Sequence, residues 1–166
     1  MASVKIISYT PAYRQHFIDM NMEWLQKYFV PEQHDIHVFN NLEELILIPG
    51  GQIFFCLYNN EVAGTIAMQK IDDTTFELAK MAVTEKYKGK GLSNLLMENC
   101  IQFAKEKNIT KIMLLSNTAL APAINLYRKF GFKEVPLGTT DYARANIQME
   151  LVLKWKSIPL HAPLGV

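Results

Sequence analysis

The sequence has little cysteine, almost no net charge and no long apolar run. Its two cysteines, Cys56 and Cys100, lie inside apolar stretches and show neither metal-ligand spacing nor the density of a secreted disulfide scaffold. Both are expected to be reduced core residues of a cytoplasmic protein. Neither sign of charge is in excess: 17 Lys+Arg face 16 Asp+Glu, for a formal net charge of +1. That excludes a global field able to draw the chain onto nucleic acid or an anionic membrane, so any basic site must be local. No apolar run reaches the roughly 18 residues a spanning helix needs, and the amino terminus lacks the long apolar core of a signal peptide. His34 and His37 sit near Asp35 at spacing i, i+3, but no third ligand completes a metal pattern. They read as solvated or acceptor-contacting residues in a loop between two helices, and no metal is expected.

What is present is the composition of a globular domain: 166 residues, 49% hydrophobic, 11% aromatic and 20% charged. One domain over 1–155 is expected, with a tail over 156–166 that is either a frayed terminus or an extended segment against a second subunit in a homodimer. The first strand falls at Val4 to Tyr9. Apolar residues at helical spacing predict a helix over Tyr13 to Phe29, which stops before Pro31. A short helix over Asn41 to Leu47 is expected, with Asn40 as N-cap and Glu43 three residues on. Gln52 to Tyr58 and Glu61 to Lys70 form a hairpin about Asn59-Asn60, and Thr75 to Val83 is a third consecutive strand. Strands and helices then alternate. A helix runs from Leu92 to Lys105, a strand from Lys111 to Ser116 and a helix from Pro122 to Phe130; the last strands are Phe132 to Val135 and Ile147 to Trp155. The fold class is therefore mixed α/β, in the order β-α-α-β-β-β-α-β-α-β-β, with a sheet of about seven strands and helices on both faces.

Between the third of these strands and the next helix lies Lys86-Tyr87-Lys88-Gly89-Lys90-Gly91-Leu92-Ser93. Two glycines let backbone N–H groups turn toward a ligand, and a helix start adds unpaired N–H donors and the positive end of a dipole. With Lys86, Lys88 and Lys90 beside it, the loop suits a pyrophosphate; the alternative is a tight turn carrying solvated lysines. A P-loop is excluded because Gly-Lys-Ser/Thr is missing. A dinucleotide fingerprint is excluded because the third glycine and the later acid are missing.

The loop Lys88-Gly89-Lys90-Gly91-Leu92-Ser93 resembles the Arg/Gln-x-x-Gly-x-Gly/Ala loop of the GNAT superfamily of acetyl-CoA-dependent N-acetyltransferases, with Lys and Ser replacing its first and last positions. Ala123-Ile124-Asn125-Leu126-Tyr127-Arg128-Lys129-Phe130-Gly131-Phe132 resembles the family's Ala-x-x-Leu-Tyr-x-x-x-Gly-Phe segment, and Phe76 to Val83 its central strand. The likeness extends over nearly all of residues 3 to 155. It departs at Leu120, where the family often has Asn.

The resemblance implies acetyl-CoA as co-substrate, with direct attack of a primary amine, of a small molecule or peptide, on the thioester in a ternary complex. It implies that the central strand splays from its neighbour after Lys111. The cofactor contacts it implies are Met81, Ala82, Val83, Lys88, Gly89, Lys90, Gly91, Leu92, Ser93, Asn94, Asn117 and Tyr127, with the N–H of Val83 as oxyanion donor. Tyr127 matches the family's general acid, and its unperturbed pKa of about 10 keeps it protonated at neutral pH. Glu77 is the candidate base, directly or through a water; as an outward residue of a period-two strand it would be merely solvated. The acceptor is implied to lie against residues 31–40 and 136–146, including Asp141, Tyr142 and Arg144. A non-catalytic acyl-CoA-binding regulatory module of the same fold is the other reading. A nucleic-acid partner would need a wider basic patch with interleaved aromatics, which is missing.

Overall fold

The computed structural model describes residues 1–154; Trp155 and the segment 156–166 lie outside the described residues, and so does any role of that tail in a homodimer. The elements follow the expected order: β1 (Val4–Ser8), α1 (Arg14–Tyr28), α2 (Gln33–Asn40), β2 (Gln52–Tyr58), β3 (Glu61–Lys70), β4 (Thr75–Val83), α3 (Leu92–Glu106), β5 (Lys111–Ser116), α4 (Ala121–Lys129), β6 (Lys133–Val135) and β7 (Ile147–Val152). They build one seven-stranded sheet in the order β1-β2-β3-β4-β5-β7-β6. Among the described residues only β4 and β5 pair in parallel, joined through α3, while the other neighbours are antiparallel.

The alternation of β2 explains why helices cover both faces. Ile53, Phe55 and Leu57 pack with Phe17 and Leu25 of α1 and Val38 and Phe39 of α2. Phe54 and Cys56 pack on the other face with Leu96 and Cys100 of α3 and Ile124 of α4. A strand buried on both sides is an apolar run, and each fully buried Phe or Leu contributes about 2–3 kcal/mol. The hairpin turn is made by Asn59 and Asn60, both left-handed (φ 47° and 67°), as a two-residue turn between right-twisted strands requires.

Two local features depart from the sequence expectation. The second helix is α2, over Gln33–Asn40, so residues expected as a loop are helical; Asn41 breaks the helix, and Glu43–Leu47 is a π-helical turn. The helix starts at Glu32, whose side chain accepts the Asp35 N–H while the Asp35 carboxylate accepts the Glu32 N–H at 2.8 Å. That capping box replaces the one expected from Asn40 to Glu43. The second departure is a bulge in β4. Ala79 pairs with Ala67 and Ala82 with Thr65, so Lys80 and Met81 together face Ile66. Lys80 takes φ 55°, a conformation costing a non-glycine residue roughly 1–2 kcal/mol. Phe76 and Leu78 before the bulge and Met81 and Val83 after it pack on the α3/α4 face, while Ala82 packs on the α1/α2 face.

Candidate active site

The parallel pairing of β4 and β5 covers only Thr75–Lys111, Phe76–Ile112 and Glu77–Met113. From Leu78 onward β4 has an open edge, and the strands part to leave a cleft of about 900 Å³ lined by Glu77 to Met81, Leu115 to Asn117, Tyr127 and Tyr142. The splaying expected after Lys111 thus begins two residues later, beyond Met113. Tyr127 is held on α4, only 8% exposed, with its ring 6.0 Å from that of Phe132. Burial pushes its hydroxyl up to about 12, and among the described residues that hydroxyl has no hydrogen-bond partner. Glu77 stands where the strands part. Burial raises its carboxyl above the usual range, an effect that Lys80 opposes, and among the described residues it has no hydrogen-bond or ion-pair partner.

A groove of about 1300 Å³ continues from the cleft along Met81, Ala82 and Val83 to Lys88, Gly89, Gly91, Leu92, Ser93 and Asn94. Gly89 and Gly91 are both left-handed (φ 78° and 76°), and a Cβ on either would meet nothing within 4 Å, so the loop presents an open backbone surface. Gly91 is the N-cap of α3 and has no side-chain oxygen to satisfy the first N–H groups. This cradle fits a pyrophosphate. The lysines are less free than the sequence suggested. Lys86 pairs with Glu61 at 3.1 Å and Lys88 with Glu85 at 2.7 Å, while Lys90 stands 5.3 Å from the Tyr58 ring. A further cation arrives from α4: Lys129 donates to the Asn94 side chain at 2.7 Å. Asn117 turns inward, donating to the Arg144 carbonyl and accepting from the Ala119 N–H, both at 2.8 Å.

On the other side of β4 a second cavity, of about 960 Å³, is lined by His34 and Val38 of α2, Met113 and Leu115 of β5, and Thr139 to Tyr142. Glu77, Ala79, Lys80, Leu115 and Tyr142 line both this cavity and the cleft. Behind them lies a buried ion cluster. Asp35, 0% exposed, accepts both Nη atoms of Arg144 at 2.7 Å and the Lys80 ammonium, while Arg144 also reaches Glu32 at 3.3 Å. Burial alone pushes the Asp35 carboxyl up, but the Arg144 and Lys80 hydrogen bonds outweigh it and hold it at about 2. The Lys80 ammonium, pulled below its ordinary value by burial, sits 5.1 Å from the Phe39 ring and 4.9 Å from the Tyr142 ring.

The family model described as Acetyltransferase (GNAT) family matches residues 18–132, more than half of the chain. The chain belongs to the GNAT acetyltransferase family. Among curated relatives, an N-acetylaspartate synthetase from Danio rerio is 32% identical over 104 residues, which are 61% of this chain and 36% of that protein. The human N-acetyltransferase 8B is 27% identical over 90 residues, 51% of this chain and 40% of that protein. The match thus spans little more than a third of these relatives. Among solved structures, a GNAT acetyltransferase from Staphylococcus aureus Mu50 superposes with TM-score 0.83 at 24% identity, covering 92% of this chain and all (100%) of that one. One from Elizabethkingia anophelis with acetyl-CoA bound gives TM-score 0.65 at 21% identity, covering 90% of this chain and 98% of that one.

Within this GNAT chain, most residues named from the sequence line the cleft or the loop groove; Arg144 was named as well, but not the buried cluster it forms with Asp35 and Lys80. His34 lines the second cavity, 3.8 Å from Asp141, and His37 is an exposed residue of α2. Among the described residues no three His, Cys, Asp or Glu side chains gather as a metal site, and no helix is long and apolar enough to cross a membrane. Lys80 and Asp35 gave no signal: one is a charged residue in an apolar strand, the other a charged residue in an apparent loop.

Proposed function

We propose that this GNAT domain transfers the acetyl group of acetyl-CoA to a primary amine by direct attack within a ternary complex. The observation that carries the reading is the parting of β4 and β5 after Glu77. It joins the glycine-loop groove on one side of the strand to a separate cavity on the other, with Glu77 and Tyr127 on the shared cleft. The loop N–H groups and the α3 start would hold the pyrophosphate, and the open edge of β4 from Met81 to Val83 would pair the pantetheine arm. The Val83 N–H is proposed to receive the developing oxyanion.

Glu77 takes the proton of the attacking amine, a role that burial favours by lifting its carboxyl toward the working range. The nitrogen–carbon bond forms and the carbon–sulfur bond breaks. Tyr127, pushed up to about 12, remains protonated throughout the neutral range. A thiol ordinarily titrates near 8.5, so Tyr127 acts by donating a hydrogen bond to the departing sulfur as charge builds on it. Orienting the two substrates in one cleft supplies the remaining advantage. The buried free thiols Cys56 and Cys100 support a reducing compartment, the cytoplasm.

Release of CoA from acetyl-CoA, followed with a thiol reagent across a panel of alkylamines, polyamines, amino acids and peptides, tests this. Amine-dependent release with an acetylated product is the expected result. Tight acetyl-CoA binding without release for any amine would favour the regulatory-module reading.

A further inference from the structure

We propose that the acceptor is an aliphatic amine carrying a second cationic group beyond an apolar spacer, and that Asp141 receives that second charge. The proposal rests on the acetyl-transfer reading above and adds the chemistry of its acceptor.

The charges around the acceptor-side cavity decide the matter. Two cations stand near it, Lys80 and Arg144, and both are taken up by carboxylates outside it. Asp35 binds the Lys80 ammonium and both Nη atoms of Arg144, and Glu32 takes a further contact from Arg144. Asp35 is 0% exposed and also bonded to the Glu32 N–H, so this four-membered cluster is closed and neutral. The Lys80 ammonium is further enclosed between the Phe39 and Tyr142 rings. What remains facing the cavity is negative: Glu77, without an ion-pair partner among the described residues, and Asp141 at the mouth with its side chain 77% exposed. The two lie close enough that Asp141 adds to the upward shift of the Glu77 carboxyl. His34, 3.8 Å from Asp141, compensates that carboxylate only when protonated.

Val38, Ile46, Met113 and Leu115 give the same cavity an apolar wall, beside the uncharged polar side chains of Gln69, Thr139 and Thr140. An acceptor bearing its own carboxylate would meet two negative groups and, among the described residues, no uncommitted cation. A simple alkylamine would satisfy Glu77 and the apolar wall but leave Asp141 unused. A diamine satisfies all three: one nitrogen beside Glu77 for attack, methylenes along the wall, and the distal ammonium at Asp141.

Cadaverine, n-pentylamine and 5-aminopentanoate, matched in length, are compared by kcat/KM at saturating acetyl-CoA. Cadaverine, corrected for its two equivalent nitrogens, is expected to exceed n-pentylamine by about fivefold, and n-pentylamine to exceed 5-aminopentanoate by a similar factor, as for a partly exposed charge pair. Asp141→Asn should collapse the cadaverine advantage, and Asp141→Lys should raise 5-aminopentanoate above cadaverine. The exposed Asp141 side chain makes both variants foldable. Equal rates for the three amines, a preference for 5-aminopentanoate in the unaltered chain, or an unchanged ranking in Asp141→Lys would overturn the proposal and leave acetyl transfer standing. Absence of CoA release with every amine would overturn both.

Discussion

Replacing Asp35 by Asn removes one charge from a site where two cations converge. The carboxylate is 0% exposed, takes two bonds of 2.7 Å from Arg144, one from Lys80 and one of 2.8 Å from the Glu32 N–H. Asparagine keeps the shape but leaves Lys80 and Arg144 facing an amide, and its NH2 group points donors at donors. Breaking a buried pair by removing one partner costs about 3–5 kcal/mol, a large share of the roughly 5–15 kcal/mol that holds a domain together. The wild type carries its own signature. With its carboxyl at about 2 in the fold and 3.8 unfolded, Asp35 contributes about 2 kcal/mol that is present above pH 4 and is lost as the pH falls through 2. In Asp35→Asn that acid loss disappears and a slope of the same sign enters in the alkaline range. Lys80 is then held below its unfolded pKa without a partner, so the unfolded state binds more protons and stability rises with pH. Urea titrations across the pH range, read at constant m-value, give these numbers directly. Adding Lys80→Met should recover part of the loss, the sign of coupling expected for two groups in contact. A single variant within about 1 kcal/mol of wild type at neutral pH, the scale of an exposed pair, would refute the reasoning.

Other perturbations probe the chemistry and the backbone. Tyr127→Phe should lower kcat by about 100-fold, the upper end for a lost hydrogen bond to a charged group, with acetyl-CoA affinity by calorimetry unchanged; wild-type turnover would remove Tyr127 from the reaction. For Glu77, a base must be ionised, so kcat should rise with pH through a carboxyl value lifted above the usual range by burial, and Glu77→Gln should abolish that limb of the profile. Gly51→Ala is expected to destabilise by more than 2 kcal/mol, an order-of-magnitude figure for overpacking, because its Cβ would lie 2.3 Å from the Met68 carbonyl and 2.6 Å from that of Ile46. Gly89→Ala, where the space is open, should lose only about 1 kcal/mol through its left-handed φ, and thermal melts of the pair should rank them so.

How much of this was legible depended on the range of the signal. The hairpin about Asn59-Asn60 and the limits of β2, β3, β4 and β5 follow from alternation and turn chemistry within a few residues, and the structure places them as the pattern predicts. The glycine loop was readable for the same reason. The helix α2 was not, because its cap is Glu32, a residue uncommon at that position, and its partner is a buried Asp35 that looks like a solvated acid in sequence. The cluster of Asp35, Lys80 and Arg144 joins three distant elements, and no local pattern encodes a contact 109 residues long in the chain. The freedom of Lys86 was overestimated from the same cause: Glu61, 25 residues earlier, pairs with it in space.

The bulge in β4 has a meaning as a matter of chain length. Remove Lys80, and Phe76, Leu78, Met81 and Val83 fall into unbroken alternation on the α3/α4 face, opposite Ala82; both hydrophobic layers would be served by one residue fewer. Pairing with β3 would also become one-to-one across Ile66. The added residue is thus surplus to the sheet and specific to the cleft, where it brings a cation into contact with Asp35. A chain shortened by that one residue should keep the pairing and both hydrophobic layers of the sheet while losing the Lys80 contact to Asp35 beside the cleft.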